Sequence, residues 1–150
     1  MARSGANPHV SLAIWEDIDI ATMSAAVADV CRGIAVVQAV FDRVAVFPEA
    51  GVVFLGVRSD AGLSAAQARC HRALGAYGRR PWVHYAPDAW VPHCTLAQEV
   101  DGAASLARAR AAADRLQLPL AARLVRAELV RFHPVHCVAA VPLSADATAS

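Results

Sequence analysis

The chain contains no lysine: all fourteen of its basic residues are arginine. A P-loop needs its lysine, imine catalysis needs an amine nucleophile, and ATP-dependent ligation through a lysyl-adenylate needs the same amine. All three are excluded. Although 57% of the chain is hydrophobic, no apolar run approaches the roughly 20 residues of a membrane span. The N-terminus carries one early arginine and no apolar stretch of the signal-peptide kind, which predicts a soluble, cytoplasmic protein with no membrane partner. The four cysteines, Cys31, Cys70, Cys94 and Cys137, form no CxxC pair, so buried free thiols are expected rather than a zinc ribbon or a redox motif. There is no G-x-S-x-G elbow of an α/β-hydrolase. A net charge of +1 leaves no strong electrostatic grip on long nucleic acid, yet permits a small phosphorylated ligand.

What the chain does have is enough apolar material for one domain spanning residues 1–150. Alternation in His9-Val10-Ser11-Leu12-Ala13-Ile14 predicts a first strand. Asp17 or Asp19 can cap a helix that runs to Arg32 and stops at Gly33. A β-rich stretch follows from Ala35 to Val46, then a turn at residues 47–51 and a buried strand from Val52 to Val57. Ser64 can cap a helix to Tyr77, after a loop from Ser59 to Gly62. Residues 78–89 read as an ordered loop, and His93 to Val100 as the next strand. Asp101 can cap an alanine- and arginine-rich helix to Leu116, simplest as an outer helix. Leu120–Phe132 and Val135–Val141 read as a hairpin around Pro134, before a frayed tail from Ser144.

The sequence Pro8-His9-Val10-Ser11-Leu12-Ala13 returns as Pro92-His93-Cys94-Thr95-Leu96-Ala97. Shifting the first half by the 84 positions that separate His9 from His93 brings helix onto helix and strand onto strand, so the chain reads as a degenerate duplication. Its lobes cover about 8–58 and 59–143, with a tail at 144–150. In a strand, residues i and i+2 share a face. His9 therefore shares a face with Ser11, and His93 with Thr95. Val10, Leu12, Cys94 and Leu96 point the other way, into the cores. Cys94 is thereby excluded as a nucleophile beside His93. Two lobes packed about a pseudo-two-fold axis would set the two polar pairs across a cleft. Opposed histidines suit in-line attack on a cyclic phosphodiester, with one taking a proton and the other giving one. Imidazole titrates near ~6.5, which serves both tasks around neutral pH. The hydroxyls of Ser11 and Thr95 can donate to non-bridging phosphate oxygens. The scheme requires neither a metal nor a cofactor.

These paired His-x-Ser/Thr motifs resemble those of the 2H phosphoesterase superfamily, which includes 2'-5' RNA ligase-like proteins and cyclic phosphodiesterases. Phe47–Val57, the helix bearing His71 and residues 85–97 add to the likeness, which covers His9 to Leu143. The resemblance implies an α+β, bilobal fold with two antiparallel sheets flanking a central cleft and helices outside. It also implies metal-independent chemistry on 2',3'-cyclic phosphates, 2'-5' linkages or ADP-ribose cyclic phosphate. A small nucleotide or short RNA end would be the substrate. His9 and His93 would be catalytic, and Ser11 and Thr95 would bind the phosphate. Two departures stand out. Only seven residues precede Pro8 where relatives have a strand and a helix, so either the start codon is assigned too late or the first lobe exposes a sheet edge, which invites a homodimer. Gln98 stands where many ligase-like relatives carry arginine, which argues against tight RNA binding.

Other polar residues have plainer readings. His71 reads as packing or surface, and His133 and His136 are too poorly aligned for a metal pair. Tyr85 and Trp90 could stack on a base but read more simply as loop anchors, with His84 beside them. Arg79 and Arg80 read as a solvated pair. The alternative to an enzyme is a non-catalytic nucleotide- or phosphate-binding module that uses the same cleft.

Overall fold

The first helix shows how local chemistry sets the architecture. In the computed structural model, which describes residues 7–58, 61–132 and 134–145, the Asp19 carboxylate accepts a 2.8 Å bond from the Thr22 amide. That bond caps helix α1, Ile20–Arg32, and Gly33 closes it by donating its N–H to Cys31 O. Met23, Val27 and Cys31 recur every four residues and are buried as one stripe. They pack with Ile34, Ala66, Cys70, Leu74 and Val141 into a first core. A second core gathers Val37, Ala39, Phe41, Leu55, Val57, Leu63 and Cys94. Leu12 touches both.

The fold is mixed α+β, with antiparallel sheets and three helices among the described residues. Strand β1, Trp15–Ile18, precedes α1, and β2, Val37–Phe47, follows it. A turn at Gly51 leads into β3, Val52–Val57. Gly51 has φ +59°, and a Cβ there would lie 2.7 Å from Val100 O, so the turn requires glycine. Helix α2 is Ala61–Leu74, and β4, Gly78–Pro81, pairs with β1. A 3-10 turn at Val83–Tyr85 leads to β5, His93–Ala97. Then come α3, Ala103–Ala113, β6, Leu120–Leu124, β7, Arg126–Arg131, and β8, His136–Pro142. The main sheet has the order β5-β3-β2-β6, and β1-β4 and β7-β8 are two-stranded. Helix α1 packs on β8, β7 and α2, whereas α3 packs on β3 and β2. No helix of the described residues is long and apolar enough to cross a membrane.

Several expectations need correcting. His9 to Ile14 joins no ladder, and the first strand starts at Trp15. Its carbonyls are bonded instead by loop and side-chain donors, described below. Ser64 lies inside α2, which begins at Ala61. The cap of α3 is Gly102, with no side-chain bond, rather than Asp101. The expected loop after Tyr77 contains β4, which Asp17–Arg79 and Glu16–Arg80 ion pairs join to β1. The final hairpin is β7 with β8, while β6 joins β2 in the main sheet. Ser144 is not frayed: it exchanges backbone bonds with Ile34 and Val36 at 2.9 Å. Residues 146–150 lie outside the described residues. Leu96 is 39% exposed because the β3–β5 register skips it between Val53–Ala97 and Phe54–Thr95, and an extra residue in a ladder loses its face. Cys137 is exposed, unlike the other three cysteines. The main sheet draws β2 and β3 from the first half of the chain and β5 and β6 from the second.

Met23 is fully buried between α1 and the β8 side of the first core. Met23→Ala should lower unfolding free energy by about 2–5 kcal/mol in urea titrations; a loss below about 1 kcal/mol would contradict this packing. The Thr22 bonds also hold the Asp19 carboxyl below its ordinary value. Its contribution is present above the unfolded-state pKa and is lost as pH falls through the folded one. Asp19→Asn should therefore flatten the acid limb of the stability profile, and an unchanged limb would exclude this contribution.

Candidate functional site

The second motif lies on β5, whose ladder with β3 pairs His93 with Gly56, Cys94 with Leu55 and Thr95 with Phe54. Cys94 and Leu55 enter the second core. His93 and Thr95 therefore project from the opposite face, together with Phe54 and Gly56. Ring contacts agree with this parity. The His93 imidazole lies 5.1 Å from the Phe54 ring and 5.2 Å, edge-on, from the Phe47 ring. Phe47 and Phe54 stack on each other at 4.2 Å. The two phenylalanines form an apolar wall that limits where the imidazole can turn.

The first motif is held differently. Val10 and Leu12 pack against the second core, the cluster that also contains Cys94. The His9 backbone comes near Cys94 on β5, where it works against the upward shift of the thiol. Burial outweighs it and pushes the Cys94 thiol up, so the thiol stays protonated. Ser11 O accepts from Trp90 Nε1 at 3.0 Å, and Leu12 O accepts from Gln67 Nε2 at 3.1 Å. Ile14 O accepts from the Trp82 amide at 3.0 Å. Three donors thus replace a ladder partner. Gln67 also donates to Tyr85 O at 2.8 Å, which ties helix α2, the first motif and the loop before the second motif together.

Each histidine follows a proline, and each makes the same bond. His9 Nδ1 lies 2.7 Å from Asn7 O, and His93 Nδ1 lies 2.7 Å from Val91 O. Proline fixes its own φ and keeps the preceding residue extended, so the carbonyl two residues back reaches the imidazole. A carbonyl can only accept, so in each neutral ring Nδ1 carries the proton and Nε2 is left to exchange one. His9 is exposed and His93 half-buried. Burial pushes the Tyr85 phenol up, and the nearby Ser11 side chain opposes that shift.

Other polar residues fall outside this constellation. Trp90 donates to Ser11 O and Tyr85 O accepts from Gln67, which ties the loop down at both residues. Arg79 and Arg80 are engaged with Asp17 and Glu16. His71 is half-buried in α2, His136 is exposed on β8, and His133 lies outside the described residues. Among the described residues, no group of three or more His, Cys, Asp or Glu is placed to hold a metal ion. A groove of about 430 Å³ between Gly33–Gln38 and α2 contains none of the motif residues. Sequence reading missed Phe47, Phe54 and Arg43. The one signal for Arg43 was a charged pair, Asp42-Arg43, interrupting an apolar strand.

The two histidines share one local arrangement, each with Nδ1 on the carbonyl two residues earlier and a hydroxyl residue two positions on, within an antiparallel α+β fold. A model of the 2'-5' RNA ligase superfamily matches residues 2–135, and the chain belongs to that family. Among curated proteins, none matches the chain.

Gln67 is 1% exposed and supplies two backbone carbonyls with donors. Gln67→Leu should cost about 1–3 kcal/mol for each carbonyl it strands. In hydrogen-exchange measurements, residues 9–14 should lose protection ahead of α1. Unchanged exchange there would show that Gln67 does not hold the first motif.

Proposed function

We propose that the protein is a metal-independent phosphoesterase that opens a cyclic phosphate or a 2'-5' phosphodiester on a nucleotide or RNA end. His9 and His93 form the general acid–base pair, and Ser11 and Thr95 donate to the non-bridging phosphate oxygens. The observation that most supports this reading is the shared bond from Nδ1 to the carbonyl two residues earlier, which leaves Nε2 of each ring to handle a proton. Membership of the superfamily supports the substrate class.

In hydrolysis, one Nε2 accepts a proton from water as its oxygen attacks phosphorus. The bond from phosphorus to the ribose oxygen breaks on the opposite side, and the second imidazole protonates that oxygen. The two rings end with their protons exchanged, so the reverse, ligating direction uses the same residues in swapped roles. Negative charge growing on the non-bridging oxygens meets the Ser11 and Thr95 hydroxyls.

His9→Ala and His93→Ala should each reduce turnover of 2',3'-cyclic nucleotides by about 10²–10⁴-fold. Wild-type turnover should survive chelators and follow a bell-shaped pH dependence. Near wild-type turnover in either single variant rules out the two-histidine scheme. Binding of nucleoside 2'-phosphates with no turnover at any pH makes the site a binding module instead.

A further inference from the structure

The face that carries His93 also carries a cation that the two-histidine scheme does not use. Arg43 on β2 is opposite Gly56 on β3, and Gly56 is in turn opposite His93 on β5. A Cβ built on Gly56 would lie 2.7 Å from Arg43 Nε and 2.8 Å from Arg43 Cζ. The guanidinium therefore lies over Gly56, on the side of the sheet from which the His93 imidazole projects. Paired residues share a face, and neighbouring strands are about 4.8 Å apart. That places the guanidinium about one strand spacing from the His93 side chain.

Arg43 is not alone. Its NH1 group donates to Asp42 Oδ1 at 2.9 Å and to Val57 O at 3.2 Å. Arg58 Nε donates to Asp42 Oδ2 at 3.2 Å. One carboxylate thus holds two arginines together, and they hold its pKa below the ordinary value, Arg58 first. The trio carries net positive charge, with both guanidinium groups half or more exposed. The β2 register shifts between Phe41 and Arg43, and such a bulge re-aims the side chains that follow it. Direction matters as well. Along the sheet, Thr95 is opposite Phe54, His93 is opposite Gly56, and Arg58 continues β3 beyond Gly56 and Val57. Arg58 therefore lies on the side of His93 away from Thr95, and Arg43 lies level with His93 across the sheet.

We propose that Arg43 and Arg58 form a second anion subsite that takes a phosphate on the 5' side of the reacting nucleotide. The proposal rests on the two-histidine reading, in which Thr95 holds the reacting phosphate. The partner group is a phosphate from either a 5'-terminal monoester or an internucleotide linkage. Guanidinium binds such oxygens through charge-assisted, often bidentate bonds. Gly56 keeps the path open, because any larger residue would displace Arg43.

The test compares three substrates: a nucleoside 2',3'-cyclic phosphate, its 5'-phosphorylated form, and a dinucleotide ending in the cyclic phosphate. In the wild type, one or both of the last two should exceed the first in kcat/KM by about tenfold to a hundredfold. Which of them does identifies the source of the phosphate. In Arg43→Ala the ratio should collapse to under threefold, and Gly56→Ala should do the same with every charge retained. Arg43→Lys should restore part of it. A wild-type ratio near one, or a ratio that survives both Arg43→Ala and Gly56→Ala, overturns the subsite. If no substrate turns over, the catalytic reading falls, and calorimetry decides the subsite separately. Nucleoside 2',5'-bisphosphate should then bind at least tenfold more tightly than nucleoside 2'-phosphate, and an Arg43-independent difference overturns it.

Discussion

The ladder between β3 and β5 governs the rest of the site. Its register pairs Leu55 with Cys94 on the core side and Gly56 with His93 on the other. Strand side chains alternate with a period of two, so a slip of one residue would turn Cys94 outward and drive His93 among Val57 and Phe41. Burial of Leu55, Val57 and Cys94 makes that slip costly. The same register brings Phe54 beside the imidazole and leaves Gly56 as the floor beneath Arg43. Core packing and site geometry are two faces of one set of backbone bonds.

The two motifs are alike in sequence and differ in support. His93 belongs to a sheet strand, whereas His9 belongs to a segment outside the sheets whose carbonyls are satisfied by Trp90, Gln67 and the Trp82 amide. A segment held by a few donors opens more readily than one in a ladder. The first motif is therefore the softer half, and its position depends on α2 and on the loop from Trp82 to Trp90. What the motifs keep in common is local. Proline before each histidine brings the same carbonyl to the same ring nitrogen. That bond needs no sheet, which explains how one arrangement survives in two different settings.

Much of the architecture was legible because it is governed by short-range chemistry. Helix α1 ends at Gly33 as its capping pattern requires, and β3 spans Val52–Val57 because that run is apolar and β-branched. Errors occurred where long-range pairing decided the outcome. Gly78–Pro81 contains two arginines and a proline and has little strand propensity, yet it pairs with β1 through Arg79–Asp17 and Arg80–Glu16. Leu120 to Phe132 reads as one strand, but it divides at Val125, so β6 joins β2 and β7 joins β8.

The sequence by itself determined the motif repeat, the proline before each histidine, and the alternation that sends His93 and Thr95 away from Cys94. All of these follow from backbone geometry within a few residues. Only the tertiary structure decided what stands beside those groups. Phe47 and Phe54 against His93, Tyr85 against Ser11, Gln67 between the first motif and its neighbouring loop, and Arg43 over Gly56 all join residues distant in the chain. Such neighbours depend on strand order and register, which local sequence does not encode.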